Sequence, residues 1–444
     1  MTKPHFALNH ARRSSGMSIR EIALAAREDA VAHPDCFVSV CTAEEIEGHV
    51  ATVEARLETG HAQPLAGLTF CIKDNIDLAG YISTGNCPSY GETVAETAPA
   101  VQIALDAGAI LIGKNTMDQF ATGLNGTRSP DPICRNAIDP NIIPGGSSSG
   151  SGVAVAKSIC DFSFGSDTGG SGRVPAATNG IVGFKPTPGL VSGRGMVYCN
   201  RSFDVLPIFA KSVGDAQAVF DVIGGADKLD PFAFKGACQD TPDQLGQNFA
   251  TPSELNHFGD TAAQAAHQAN LECLTSAGAI LTDIDFAPFA EAGDLVFGSA
   301  LVAERLIDYG DFIADNPDAV LPPVATAINA GLTYSARDAF EALHRLAELK
   351  LQCTRILENF DALILPTIPR LFTVAEMQAE PMRRNSIMGT YTYFANPLGM
   401  SAIALPGVPR SDALPSSICF VGLGGADRVV MAQAQAFEAL TVDG

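Results

Sequence analysis

The order of apolar runs along the chain predicts an α/β layered fold with partly parallel strands. Between Ala98 and Thr116, APAVQIALDAGAILIGKNT reads as a helix, a glycine stop and a strand. The same order returns at AAHQANLECLTSAGAILTDIDF, from Ala265 to Phe286. Repeated helix–AGAI–strand units are what a sheet covered by helices looks like in sequence. With 46% hydrophobic and 17% charged residues over 444 positions, the chain can bury a large core and is not disordered.

Residues 1–60 read as helical. Ser18–Glu21 and Thr42–Glu45 each fit a capping box, followed by apolar positions at helical spacing. From Pro64 the texture changes, and LAGLTFCIKDNID reads as a buried strand entering a polar turn. Gly225–Ser253 is polar with Pro and Gly, and reads as a surface excursion. Ala339–Phe360 reads as a long amphipathic helix, and DALILPTIP, from Asp361, as a strand. No solenoid repeat, low-complexity tract or linker is visible. The expected organisation is a helical N-terminal arm over 1–60 and one compact domain over 61–444.

A net charge of −21 argues against direct nucleic-acid binding. Eleven cysteines, with no CxxC pair, read as buried or free thiols of a reducing compartment. The first residues show no apolar signal segment, and no apolar run approaches the roughly 18 residues of a membrane span. A cytoplasmic location is the expectation.

Two serine–glycine clusters carry the chemistry. PGGSSSGSG runs from Pro144 to Gly152, and SDTGGSGRVPA from Ser166 to Ala176. The first, taken alone, fits a flexible linker equally well, but the apolar VAVAKSICDFSFGS that follows makes it the opening of a buried helix. A glycine-rich helix start presents free N–H donors to an anion or an oxyanion. The phosphate-loop patterns GxxxxGK[ST] and strand-linked GxGxxG are both absent. In the second cluster two glycines precede Ser171, which places that serine where a nucleophile belongs; an ordinary tight turn is the plainer reading. A serine nucleophile needs a base. No histidine occurs between His61 and His257, and neither cluster contains a GxSxG elbow. Lys73, in the apolar LTFCIKDNI, is the other option, because burial lowers a lysine's pKa toward the neutral, proton-accepting form. Most lone lysines lie on the surface.

Lys73 in KDNID, Ser147 in PGGSSSGS and Ser171 in DTGGSGRVPA together resemble the amidase signature family, with the family's usual 24 residues between the two serines. The likeness runs from about Leu65 to Leu440. It implies a large mixed β-sheet covered by helices on both faces, and a Ser–cis-Ser–Lys triad. Ser171 is then the nucleophile, Ser147 the relay in a cis peptide, and Lys73 the base and later the acid. The amides of Thr168, Gly169, Gly170 and Ser171 are implied as the oxyanion hole. Asp167 and Arg173 are implied as braces of that loop. The likeness implies no cofactor and no metal, a small-molecule substrate, no direct nucleic-acid or membrane partner, and a homodimer.

Within the family, DQFATGLNGTRSP (Asp118–Pro130), SGRVPA, VAER (Val302–Arg305) and LPTIPRLFTVAEMQAEP with GTYTYFANPLG resemble the allophanate hydrolase branch. This implies hydrolysis of a small carboxylated linear amide, allophanate, with release of ammonia through an acyl-enzyme. Arg305 matches the arginine that holds the carboxylate, a task suited to a bidentate fork; a helix ion pair with Asp308 is the structural alternative. Gly123 is a candidate wall of the same pocket. Three departures stand out. Phe297 occupies the place of the branch's tyrosine, eight residues before the arginine, so a substrate hydroxyl contact is missing. Ser416 replaces a glycine after LP. Full-length members often carry a further C-terminal domain for the carboxylated product, whereas this sequence reaches Gly444 near the end of the amidase part. A biuret-type or general small-amide amidase is the alternative that Phe297 supports. The alternative from another class is a component of an amidotransferase complex that works on aminoacyl-tRNA.

Overall fold

The structure is a computed structural model that describes residues 6–242 and 246–442. Its centre is one mixed sheet of eleven strands among the described residues. In chain order these are β1 Phe37–Val40, β2 Thr69–Lys73, β3 Ile110–Asn115, β4 Phe162–Phe164, β5 Val182–Lys185 and β6 Ile208–Ala210. They continue with β7 Asn248–Pro252, β8 Ile280–Ile284, β9 Ala362–Pro366, β10 Ser401–Pro406 and β11 Ser417–Gly422. Across the sheet the order is β1-β3-β2-β4-β6-β5-β10-β11-β9-β7-β8. The trio β3-β2-β4 is parallel, as is β9-β7-β8 at the other end. The strands between them pair antiparallel.

Alternation along the central strands divides the apolar interior into two layers. Ile403, Leu405, Ile418, Phe420, Ala362 and Ile364 join one cluster, together with helices Val213–Ile223 and Asp427–Val442. Their in-between neighbours Ala402, Cys419, Val421, Leu363 and Leu365 join the other, with helices Ala287–Gly298 and Ala336–Leu357. Helices thus cover both faces, as the resemblance implies.

Both predicted helix–glycine–strand units form. Helix Pro99–Asp106 stops before Gly108 (φ 93°) and feeds β3; helix Thr261–Ser276 stops before Gly278 (φ 98°) and feeds β8. The Ser18 and Thr42 capping boxes are both made, each reciprocal with its glutamate. Two segments differ from the sequence reading. The N-terminal 60 residues are not helical throughout, because Phe37–Val40 pairs antiparallel with β3 as an edge strand. Four residues are too few for alternation to be legible. The polar stretch 225–253 likewise ends in β7, whose short NFATP run is recruited by β8 and β9. Residues 243–245 of that stretch lie outside the described residues. All eleven cysteines are free thiols, and no described helix is long and apolar enough to cross a membrane.

Candidate active site

Parallel pairing assembles the first half of the site. Ile72 of β2 stands in register with Phe164 of β4, so Lys73 at the end of β2 lies beside the residues leaving β4. Ser166, two residues beyond β4, accepts a hydrogen bond from Lys73 Nζ at 2.7 Å. Open α/β sheets place ligand sites at such carboxyl ends of strands. Asn75 Nδ2 donates to the same Ser166 Oγ at 3.1 Å. The chain leaving β3 returns through the first serine–glycine cluster, where the Gly146–Ser147 peptide is cis and Ser147 Oγ accepts from Lys73 Nζ at 2.6 Å. Helix Ser149–Ala156 then begins, buried along almost its whole length, so the cluster is not a linker.

Lys73 is fully buried. Burial pushes its pKa down to about 7, while Asp204 and Asp118 pull the other way. Asp204, buried as well, accepts from Thr168 Oγ1 and from the Cys199 amide, and burial raises its carboxyl to about 6.

The second cluster folds around an ion pair. Asp167 and Arg173 meet twice, Nε to Oδ2 at 3.0 Å and Nη2 to Oδ1 at 3.1 Å, with both side chains fully enclosed. Arg173 also donates to Thr392 O and Asn396 Oδ1, each at 3.0 Å. The arginine therefore braces the loop, as the resemblance implies. Leaving Asp167 buried without its partner is the costly way to break such a pair. Arg173→Met is expected to destabilise the fold by about 3–5 kcal/mol, seen as a lower unfolding midpoint in urea.

Backbone geometry explains the glycines. Gly170 has φ 145°, and a Cβ there would run into Thr392 Oγ1. The Gly170 N–H, however, donates to Asp167 Oδ1 at 2.6 Å. Of the four amides named for the oxyanion hole, Gly170 is thus already engaged, because the carboxylate that braces the loop lies beneath it. The amides of Thr168, Gly169 and Ser171 have no acceptor among the described residues.

Ser171, Thr168 and Gly169 line a cavity of about 200 Å³. Gly123 and Phe297 line it too, and so do two guanidinium groups, Arg305 and Arg128. Arg305 is 4% exposed. Its Nε donates to Asn200 Oδ1 at 2.8 Å, and its guanidinium stands 5.3 Å from the Phe297 ring centre. It makes no ion pair with Asp308, since it closes the 3-10 segment Ala300–Arg305 and points inward ahead of the helix Leu306–Asp315. Arg128 is also 4% exposed. Asp118 shapes its loop, accepting from the amides of Asn125, Gly126 and Arg128 at 3.2, 3.0 and 2.9 Å. Arg128 donates to Thr122 O and Pro381 O, and its Nε has no partner. Neither arginine has a carboxylate within ion-pair distance among the described residues. Ser171 Oγ makes no hydrogen bond there, so Lys73 and Ser147 are in contact while Ser171 faces the cavity unengaged. Among the described residues no histidine lines this cavity.

Sequence reading gave no role to Ser166, Arg128, Asp204 or Tyr393, the last a further lining residue. Ser166, Arg128 and Tyr393 stood inside quoted motifs, but nothing local marks them as facing the site. Outside this cavity, Asp35, Cys36 and Cys134 bring possible metal-ligand atoms within 4.8 Å of one another, with the two Sγ atoms 3.4 Å apart.

Comparison with known proteins bears on the family and the fold. The Amidase family profile matches residues 22–431. A urea amidolyase of Saccharomyces cerevisiae is 33% identical over 93% of this chain, which spans only 23% of that protein's length. A solved structure of a Kluyveromyces lactis allophanate hydrolase variant superposes with a TM-score of 0.88 at 31% identity, covering 97% of this chain and 73% of that one. A glutamyl-tRNA(Gln) amidotransferase component from Deinococcus radiodurans is 31% identical, covering 94% of this chain and 92% of that protein. The chain belongs to the Amidase family.

Proposed function

We propose that this chain hydrolyses the C–N bond of a small linear amide bearing a carboxylate, allophanate above others, and releases ammonia. One observation carries the choice of substrate class. Two buried guanidinium groups, Arg305 and Arg128, face the same cavity as Ser171 with no carboxylate within ion-pair distance among the described residues, Asp118 acting on Arg128 only from further away. A buried cation is costly unless an anion compensates it, and a substrate carboxylate supplies one.

In this reading Ser171 Oγ attacks the amide carbon as its proton passes through Ser147 Oγ to neutral Lys73. Free loop amides receive the developing oxyanion. Lys73 returns the proton through Ser147 to the departing nitrogen as the C–N bond breaks. Water then cleaves the Ser171 ester by the same route in reverse. The contact of Lys73 with Ser147 supports the relay, and rotation of the Ser171 side chain completes it; apo geometries are commonly looser than the reacting complex. The reading includes a cytoplasmic, homodimeric protein without nucleic-acid partners.

The test is ammonia release by the purified chain from allophanate, malonamate, biuret and a neutral amide. A markedly higher kcat/KM for the carboxylated amides than for the neutral one is expected, and better turnover of neutral ones would overturn the assignment. Arg305→Ala is expected to raise KM for the carboxylated amides roughly 10- to 100-fold, the worth of a hydrogen bond to a charged group, with kcat little altered. The match to a nearly full-length amidotransferase component favours a second reading, an ammonia-producing member of a complex. Activity appearing only with aminoacyl-tRNA and partner proteins would select it.

A further inference from the structure

Phe297 leaves the cavity without the hydroxyl that the family resemblance places at that position. The structure sets another aromatic hydroxyl beside it. The rings of Phe297 and Tyr393 lie with centres 4.1 Å apart, inclined by 33°. Both pack on the same glycine of the nucleophile loop. A Cβ on Gly169 would meet Phe297 Cε2 and Cζ at 2.7 Å and Tyr393 Cδ1 at 2.9 Å. The two side chains therefore occupy adjoining parts of one wall.

The Tyr393 hydroxyl is not held firmly by the protein. Asn385 Nδ2 reaches it at 3.4 Å, and its own contact with Asn385 O is 3.5 Å, the long limit of a hydrogen bond. The Asn385 side-chain oxygen is already taken by Leu124 N at 2.7 Å and Asn125 Nδ2 at 2.8 Å. Arg128 and Arg305 both act on the phenol electrostatically, against burial, which pushes it up to about 12. The hydroxyl thus keeps its proton near neutrality and stands ready to donate beside two cations.

We infer that Tyr393 is a specificity-determining residue whose Oη donates a hydrogen bond to the anionic end of the substrate, replacing the hydroxyl absent from Phe297. The inference rests on the carboxylated-amide reading above. In this arrangement the two arginines supply charge, and the tyrosine supplies a directional donor that a neutral amide of similar size does not use.

The experiment compares wild type with Tyr393→Phe, which removes one oxygen and keeps the ring stacked on Phe297. For malonamate, kcat/KM is expected to fall roughly tenfold, the range of one hydrogen bond to a charged group, with a neutral amide unchanged. Malonate titrated calorimetrically is expected to bind roughly tenfold more weakly to the variant, a readout that needs no turnover. Adding Phe297→Tyr in the same background is expected to recover most of the loss. Unchanged malonamate kinetics and malonate affinity in Tyr393→Phe would overturn the inference while leaving the carboxylated-amide reading intact. Equal losses on charged and neutral amides would also overturn it, marking Tyr393 as packing alone. A wild type that shows no preference for carboxylated amides removes the underlying reading and this inference with it, and is recognised before any variant is made.

Discussion

Ser171→Ala is expected to lower kcat by roughly 10⁴- to 10⁶-fold, the scale on which loss of a nucleophile is felt. The residual rate is that of a site which still binds and polarises the amide but forms no acyl bond. Ser171 Oγ makes no hydrogen bond to Lys73, Ser147 or any other described residue, so its removal leaves the Lys73–Ser147–Ser166 contacts standing. The variant is therefore expected to fold, and to bind a carboxylated amide as wild type does. Ammonia release measures the first expectation, and titration with malonamate the second. Retention of more than about a hundredth of the wild-type rate would remove Ser171 from the nucleophile's role.

Lys73 carries the second large effect. Its amine has to be neutral to take a proton, and burial has brought its pKa to about 7 from an ordinary 10.5. Below that value the ammonium form dominates and the base is lost. kcat/KM is thus expected to fall about tenfold per unit as pH drops below roughly 7, and to level above it. The sign follows from the base role, since an acid acting first gives the opposite slope. Lys73→Met, similar in volume but without the amine, is expected to lose activity on the scale of Ser171→Ala and to abolish the pH-dependent limb. A kcat/KM profile flat from about pH 5 to 7 would contradict a lysine base.

Much of this was legible without coordinates because it is local. Capping boxes at Ser18 and Thr42 involve residues three apart, and glycine stops at Gly108 and Gly278 need only their own φ. The helix Ala336–Leu357 reads from its amphipathic period, although its start is set three residues earlier than expected by the Ser335–Asp338 box. Lys73, Ser147 and Ser171 were legible through the resemblance of their motifs to the amidase signature family. The edge strand Phe37–Val40 and the strand Asn248–Pro252 were not, since each is short and exists through a partner distant in sequence. Gly170 looked like a free amide, and only the position of Asp167 shows otherwise.

By itself the sequence pointed to the alternating α/β architecture, the family, and the three residues of the proposed serine–lysine relay. The architecture follows from near-neighbour patterning, and the family and those three residues from the resemblance of their motifs. Tertiary structure alone decided that Ser166 shares the Lys73 amine, that Arg128 joins Arg305, and that Tyr393 faces Phe297. Those meetings depend on strand register and on packing between segments as far as 177 residues apart, Arg128 and Arg305. Period and propensity hold no information at that range; burial and register set it.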